Sequence, residues 1–144
     1  MISRIASLLY LRPFDFRHYE TEQRRFKSNR PEHRRLRTYL EKNKEKKCII
    51  CQRNLPHYTL ECAHIKPRIF CSYQEKYDYN VVNWMCRNCH VIFDRGGIGV
   101  DDGKILISED LEQFDDFLTN FKIDEYFMSE DYFKYHFNNI FNNN

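Results

Sequence analysis

The sequence predicts a small α+β fold, and three observations predict it. Two C-x-x-C pairs, Cys48-Ile-Ile-Cys51 and Cys86-Arg-Asn-Cys89, bracket the middle of the chain. The stretch between and through them reads as strand, loop, strand and helix. A turn sequence, Asp101-Asp102-Gly103, then separates two short apolar runs, which predicts a β-hairpin.

A C-x-x-C turn lets both sulfurs face one ion, and two such turns supply the four thiolates of a tetrahedral zinc. Cys48, Cys51, Cys86 and Cys89 are therefore the expected structural zinc site in a reducing compartment. Four cysteines that are merely buried or disulfide-paired are the alternative. Cys62 and Cys71, the remaining two of six cysteines, read as small core residues.

Ile2, Ile5, Ala6 and Leu9 fall at helical spacing before Pro13 and predict a short first helix. Pro31 breaks the segment from Arg17 to Lys47, and the run after it sets Leu36 and Leu40 four residues apart. That spacing predicts a basic helix with Arg34, Arg35, Arg37 and the lysines between 42 and 47 on exposed faces. Residues 58–65 are rich in strand formers and stop at Lys66-Pro67, so a strand ends near His64. Residues 68–79 read as a loop and 80–85 as a short extended piece. Cys86 to Arg95 reads as a helix ended by Gly96-Gly97. Residues 98–100 and 104–107 are the hairpin strands. Ser108-Glu109-Asp110 and Ser129-Glu130-Asp131 each place a cap residue before first-turn acids. The first predicts a helix carrying Leu111, Phe114, Phe117, Leu118 and Phe121 into the core. The second predicts one carrying Tyr132, Phe133, His136, Phe137 and Ile140.

The whole is read as residues 1–47, a basic, mainly helical arm, residues 48–108, the zinc-stapled core with its hairpin, and residues 109–144, acidic aromatic helices. A chain of 144 residues with 42% hydrophobic and 31% charged residues is a globular protein, not a disordered, collagen-like or simple coiled-coil one. The apolar stretch from Ile5 to Leu11 is too short for a span and has no cleavage site, so the expected location is intracellular, cytoplasmic or nucleoid-associated. The net charge of +2 hides an asymmetry: residues 1–47 carry 14 basic and 6 acidic side chains, residues 48–104 carry 7 and 6, and residues 105–144 carry 2 and 9. A basic end points to a polyanion partner, unless the two ends pair with each other.

Residues 48–94, about a third of the chain, resemble the zinc-stapled members of the HNH endonuclease family. Those members share C-x-x-C, a strand ending in the catalytic His with Ile-x-Pro after it, an Asn, and C-x-x-C-H followed by Phe-Asp. Here the stretches are Cys48-Ile-Ile-Cys51, Glu61-Cys62-Ala63-His64-Ile65-Lys66-Pro67, Asn80-Val81-Val82-Asn83, and Cys86-Arg-Asn-Cys89-His90-Val-Ile-Phe93-Asp94. Arg95-Gly96-Gly97-Ile98-Gly99-Val100 resembles the continuation of some members into a glycine and hairpin.

The resemblance implies a ββα-metal core and metal-dependent cleavage of double-stranded DNA, with 5′-phosphate and 3′-hydroxyl ends. His64 matches the general base. His90 and Asp94, one helical turn apart and so on one face, match the ligands of a catalytic Mg2+ or similar divalent ion. Asn80 is the favoured match to the family Asn, which orients the His64 loop or completes the metal shell; Asn83 is the alternative, since the family slot itself is Val81. Many relatives carry an Asp before the catalytic His, where this chain has Ala63. Strand alternation puts Glu61 on the face of Ala63, a candidate ligand in its place, and turns His64 with Cys62 to the other face. Arg68 and Arg95, beside the motif, are expected to contact phosphates, as are Arg34, Arg35 and Arg37. A restriction or defence nuclease is the preferred reading. A catalytically inactive zinc-stapled nucleic-acid-binding module and a homing or mobile-element nicking enzyme are the alternatives. Cutting both strands requires a homodimer or two successive nicks.

Overall fold

The computed structural model describes residues 30–114, 123 and 126–143. The helix expected near Ile2, the basic segment before Arg30, and Phe117, Leu118 and Phe121 lie outside the described residues. The chain divides into two compact units, residues 1–34 and 35–144, and the strands among the described residues belong to the second. No helix among the described residues is long and apolar enough to cross a membrane. The fold is α+β, with two small antiparallel sheets among the helices.

Helix α1, Pro31–Asn43, starts on a proline, tolerated there because the first-turn N–H has no helical acceptor. Leu36 and Leu40 are wholly buried, as their spacing requires, and Arg34, Arg35 and Arg37 stay exposed. Tyr39 stacks on Tyr79 at 4.1 Å, and Arg35 Nε donates to the Tyr79 hydroxyl at 2.9 Å. The Arg37 guanidinium lies over Trp84 and pairs with Glu41 at 3.2 Å. Two of the arginines expected to face phosphates therefore also hold the helix onto the core.

Strands β1, Leu60–His64, and β2, Val82–Cys86, form an antiparallel ribbon. Its register pairs Glu61 with Met85 and Ala63 with Asn83 on one face, and Cys62 with Trp84 and His64 with Val82 on the other. Both strands begin later than the sequence suggests, because side chains compete for the backbone. The Thr59 hydroxyl and N–H both donate to the Pro56 carbonyl, winding His57–Thr59 into a 3-10 turn. The Asp78 carboxylate accepts the Asn80 N–H at 2.9 Å and does the same to Tyr79–Val81. The expected loop at 68–79 also contains structure: a 3-10 turn, Arg68–Phe70, and a one-turn helix α2, Tyr73–Lys76. A capping box starts α2, the Ser72 hydroxyl taking the Glu75 N–H and the Glu75 carboxylate taking the Ser72 N–H.

Helix α3, Arg87–Asp94, ends as its glycines imply. Gly96 has φ 76°, and Gly96 and Gly97 donate their N–H groups to the carbonyls of Phe93 and Ile92, which is the Schellman arrangement. The hairpin follows, β3 (Ile98–Asp101) and β4 (Lys104–Ile107), turned by Asp102 and Gly103 at positive φ. A Cβ on Gly99 would meet the Phe141 ring at 2.5 Å, so this glycine lets the C-terminal segment lie directly on β3.

The tail departs from expectation. Residues Glu109–Phe114 form a 3-10 turn, and the Ser108 hydroxyl bonds the Asp110 carboxylate instead of capping a helix. Helix α4, Glu130–His136, forms as expected and widens into a π turn at Phe137–Phe141. Ser129 occupies its cap position but makes no capping bond; its hydroxyl donates to the Asn80 carbonyl at 2.6 Å. Phe133 and His136 are buried, and Tyr132, Phe137 and Ile140 are half-buried.

His136 closes the core over α3. Its ring stacks on Phe93 with 3.6 Å between centroids, and its Nε2 lies 2.7 Å from the Phe93 carbonyl. Nε2–H donates there, leaving Nδ1 buried with no hydrogen-bond partner. Burial outweighs that hydrogen bond and the attraction of Asp94, and holds the imidazole below its ordinary 6.5. The unfolded chain takes up a proton that the folded chain refuses, so this contribution is present above pH 6.5 and is lost as pH falls below it. Urea melts at neutral and acidic pH are expected to show His136→Phe about 1 kcal/mol less stable near neutrality, from the lost hydrogen bond. The variant is also expected to have a shallower loss on acidification than the wild type. An unchanged slope would rule His136 out as its source.

Candidate metal centres

Four buried sulfurs meet at one point. The ligand atoms of Cys48, Cys51, Cys86 and Cys89 all lie within 4.8 Å of one another, and Cys51 and Cys86 are 3.9 Å apart. A tetrahedral zinc with Zn–S bonds of about 2.3 Å sets its sulfurs about 3.8 Å apart, so the donor set fits zinc in number, kind and spacing. It is the only convergent group of three or more such ligands among the described residues.

Local backbone explains the convergence. The Ile49 N–H donates to the Trp84 carbonyl at 2.9 Å and ties the first knuckle to β2. Gln52, at φ 55°, closes that knuckle by donating its N–H to the Cys48 carbonyl at 2.8 Å. Cys86 both ends β2 and caps α3, its sulfur accepting the Cys89 N–H at 3.5 Å. In this cluster the hydrogen bond with Cys51 favours the Cys48 thiolate and pushes the Cys51 thiol up. The bond with Cys48 likewise pushes Cys89 up. Adjacent thiolates cannot all ionise unless a cation shares them, so zinc would displace the protons that now divide the sulfurs. Cys62 and Cys71 are buried as expected; burial pushes the Cys62 thiol up to about 12, and the Cys71 thiol donates to the carbonyls of Lys66 and Pro67.

A second arrangement surrounds His90. Its Nδ1 lies 2.5 Å from Glu61 Oε2 and its Nε2 lies 3.1 Å from Asp94 Oδ2. The other Glu61 oxygen accepts from Arg87 Nε at 3.0 Å. Burial opposes a charge on His90, but the bonds to Asp94 and Glu61 outweigh it and raise the imidazole to about 9. Burial likewise opposes ionisation of Glu61, yet the bonds from His90 and Arg87 keep it below the usual carboxylate range. Asp94 is the open end of this chain of contacts, its side chain 54% exposed against 22% for His90.

The other candidates occupy distinct places. His64 is the half-buried last residue of β1, on the ribbon face opposite Glu61. Asn80 sits in the turn before β2, its N–H held by Asp78 and its carbonyl by Ser129. Asn83 is buried opposite Ala63, and its Oδ1 accepts the Trp84 N–H at 2.8 Å. Arg68 is half-buried in its 3-10 turn and Arg95 is exposed just past α3. The contacts of three residues escaped the sequence reading. Arg87 left no signal beyond lying one turn before His90; Ser129 and His136 act through contacts distant in sequence. Comparison of the sequence with protein-family models and with curated proteins finds no match.

Elemental analysis of protein purified without added metal is expected to find one zinc per chain. Cys86→Ser is expected to lose both the zinc and much of the thermal stability, whereas Cys62→Ser retains the metal. Zinc-free protein of wild-type stability would refute the site.

Proposed function

We propose that the chain is a metal-dependent DNA endonuclease of the HNH type that hydrolyses phosphodiester bonds. The observation that carries this is the Glu61–His90–Asp94 array, built on helix α3, which brings Cys89 to the cysteine cluster, and on β1, which pairs with the Cys86-bearing β2 and ends in His64. His90 Nε2 and Asp94 are the side chains that would hold a magnesium-like ion, with Asn80 as the further match to the family pattern. Such an ion neutralises charge on the phosphate and on the departing 3′ oxygen.

The chain's own residues supply the remaining chemistry. Neutral His64 takes a proton from the attacking water. Glu61 is a positioning residue: by accepting from Nδ1–H it fixes the ring, and an ion held at Nε2 would replace the proton that this nitrogen now shares with Asp94. Arg87 in turn fixes Glu61. Arg68, Arg95 and the basic face of α1 bind the DNA backbone, which makes affinity fall steeply with salt. A restriction or defence role is the preferred biology, and a mobile-element nicking enzyme would use the same chemistry. Ala63, where many HNH family members carry an Asp, favours a second reading, a zinc-stapled module that binds nucleic acid without cutting it.

Supercoiled plasmid is expected to be nicked or linearised with magnesium or manganese, and His64→Ala to cut at least about 100-fold more slowly while keeping its zinc. Failure of the wild type to cut with magnesium, manganese or nickel would leave the non-cleaving module. Glu61→Gln is expected to raise the metal concentration for half-maximal cutting about 10-fold or more, with a smaller effect on the rate at saturating metal. An equal loss at all metal concentrations would contradict a positioning role.

A further inference from the structure

Three of the seven large apolar side chains exposed among the described residues fall in one short loop, Ile69 (83% exposed), Phe70 (53%) and Tyr73 (77%). This loop leaves β1 directly after His64-Ile65. It does not present these side chains by being loose. Lys66 Nζ bonds both Glu75 oxygens at 3.1 and 2.9 Å, closing the loop at its base. The Cys71 thiol adds bonds to the Lys66 and Pro67 carbonyls, and the Ser72–Glu75 capping box fixes α2. One edge of Phe70 meets Tyr135 at 6.0 Å between centroids, with Lys66 Nζ 4.4 Å above that tyrosine. A preorganised frame holds apolar tips in water, where burying them elsewhere would be favourable.

The charges beside the tips indicate the partner. Residues 66–76 carry Lys66, Arg68 and Lys76 against the single carboxylate Glu75, which Lys66 already pairs. Cations flanking exposed aromatic rings suit a polyanion that also offers apolar surface. In nucleic acid that surface is the base faces, which stacking hides in an intact duplex.

We propose that residues 68–73 form a wedge that stacks on unpaired or unstacked bases, so that the preferred substrate is nucleic acid with a locally opened helix. Arg68 and Lys76 engage the flanking phosphates while Ile69, Phe70 and Tyr73 take the base faces. The proposal deepens the endonuclease reading, and rests on it for the placing of the opened bases next to the cleaved bond; the binding itself stands apart from cleavage.

The test uses full-length His64→Ala, so that DNA is bound and not cut, with fluorescently labelled matched duplex, the same duplex with a central unpaired bubble, and single strand. The bubble is expected to bind at least about 10-fold more tightly than the matched duplex. Adding Ile69→Ala, Phe70→Ala and Tyr73→Ala together is expected to abolish that preference while matched-duplex affinity stays within about two-fold. The three side chains are exposed, so thermal stability should hold. A 2-aminopurine in the bubble is expected to be quenched by the ring stacking and not by the triple variant. Equal binding of bubble and duplex, or a triple variant that keeps the preference, overturns the wedge. So does a triple variant that binds DNA normally but loses self-association in sedimentation, which would make the patch a subunit contact. A wild-type protein that prefers the bubble yet cuts nothing refutes the nuclease reading alone.

Discussion

The mutual placement of β2, α3 and the knuckle after α1 turns on four sulfurs being brought to one point. Two five-residue strands and an eight-residue helix bury too little apolar surface to hold a unique arrangement unaided. The cysteines come from the knuckle after α1, the end of β2 and the start of α3, so one shared cation would fix the mutual placement of all three. Without a cation, four buried thiols can only share protons among themselves, which is a poor substitute. Were zinc bound there, its binding and the folding of this ribbon would be one process, the metal supplying what a small core cannot.

Helix α3 converts that staple into a functional geometry. Its buried face carries Cys89 and Phe93, one turn apart, the first into the sulfur cluster and the second under His136. The next residues round the helix, about 100° on, are His90 and Asp94. Anchoring the buried pair at both ends thus sets the azimuth of the chemical pair toward Glu61 without any contact made for that purpose. The carbonyl of Phe93 accepts from both Gly96 N–H and His136, so the end of the helix that bears Asp94 is held from within and from the tail.

This division explains what was legible in the sequence. The cysteine cluster, the Gly96-Gly97 stop and the Asp101-Asp102-Gly103 hairpin were readable because each is decided by covalent spacing or by backbone conformation within a few residues. Strand alternation likewise placed Glu61 on the face of Ala63, although not on a particular nitrogen of His90. The 3-10 turns at 57–59 and 79–81 were hidden because Thr59 and Asp78 side chains compete for backbone groups that a strand would otherwise use. Ser129 and His136 read as a helix cap and an aromatic-stripe residue; their partners, Asn80 and Phe93, are 49 and 43 residues away, and only tertiary packing reveals them.

The missing acid at Ala63 has a specific consequence for the proposed chemistry. Residues 61 and 63 share a face but stand about 6.6 Å apart along a strand, so a carboxylate at 61 does not reproduce one at 63. Glu61 lands on Nδ1, the nitrogen that the proposed ion would not use, so relative to the family pattern the change would exchange a ligand for an orienting group. An ion held by His90 and Asp94 retains most of its coordination positions for water and phosphate oxygens. Its affinity in the free protein would then be low, and substrate phosphate would complete the shell. On the proposed chemistry the metal and the DNA would bind together, and a scaffold made rigid by zinc would let so few protein ligands hold the reacting groups in place.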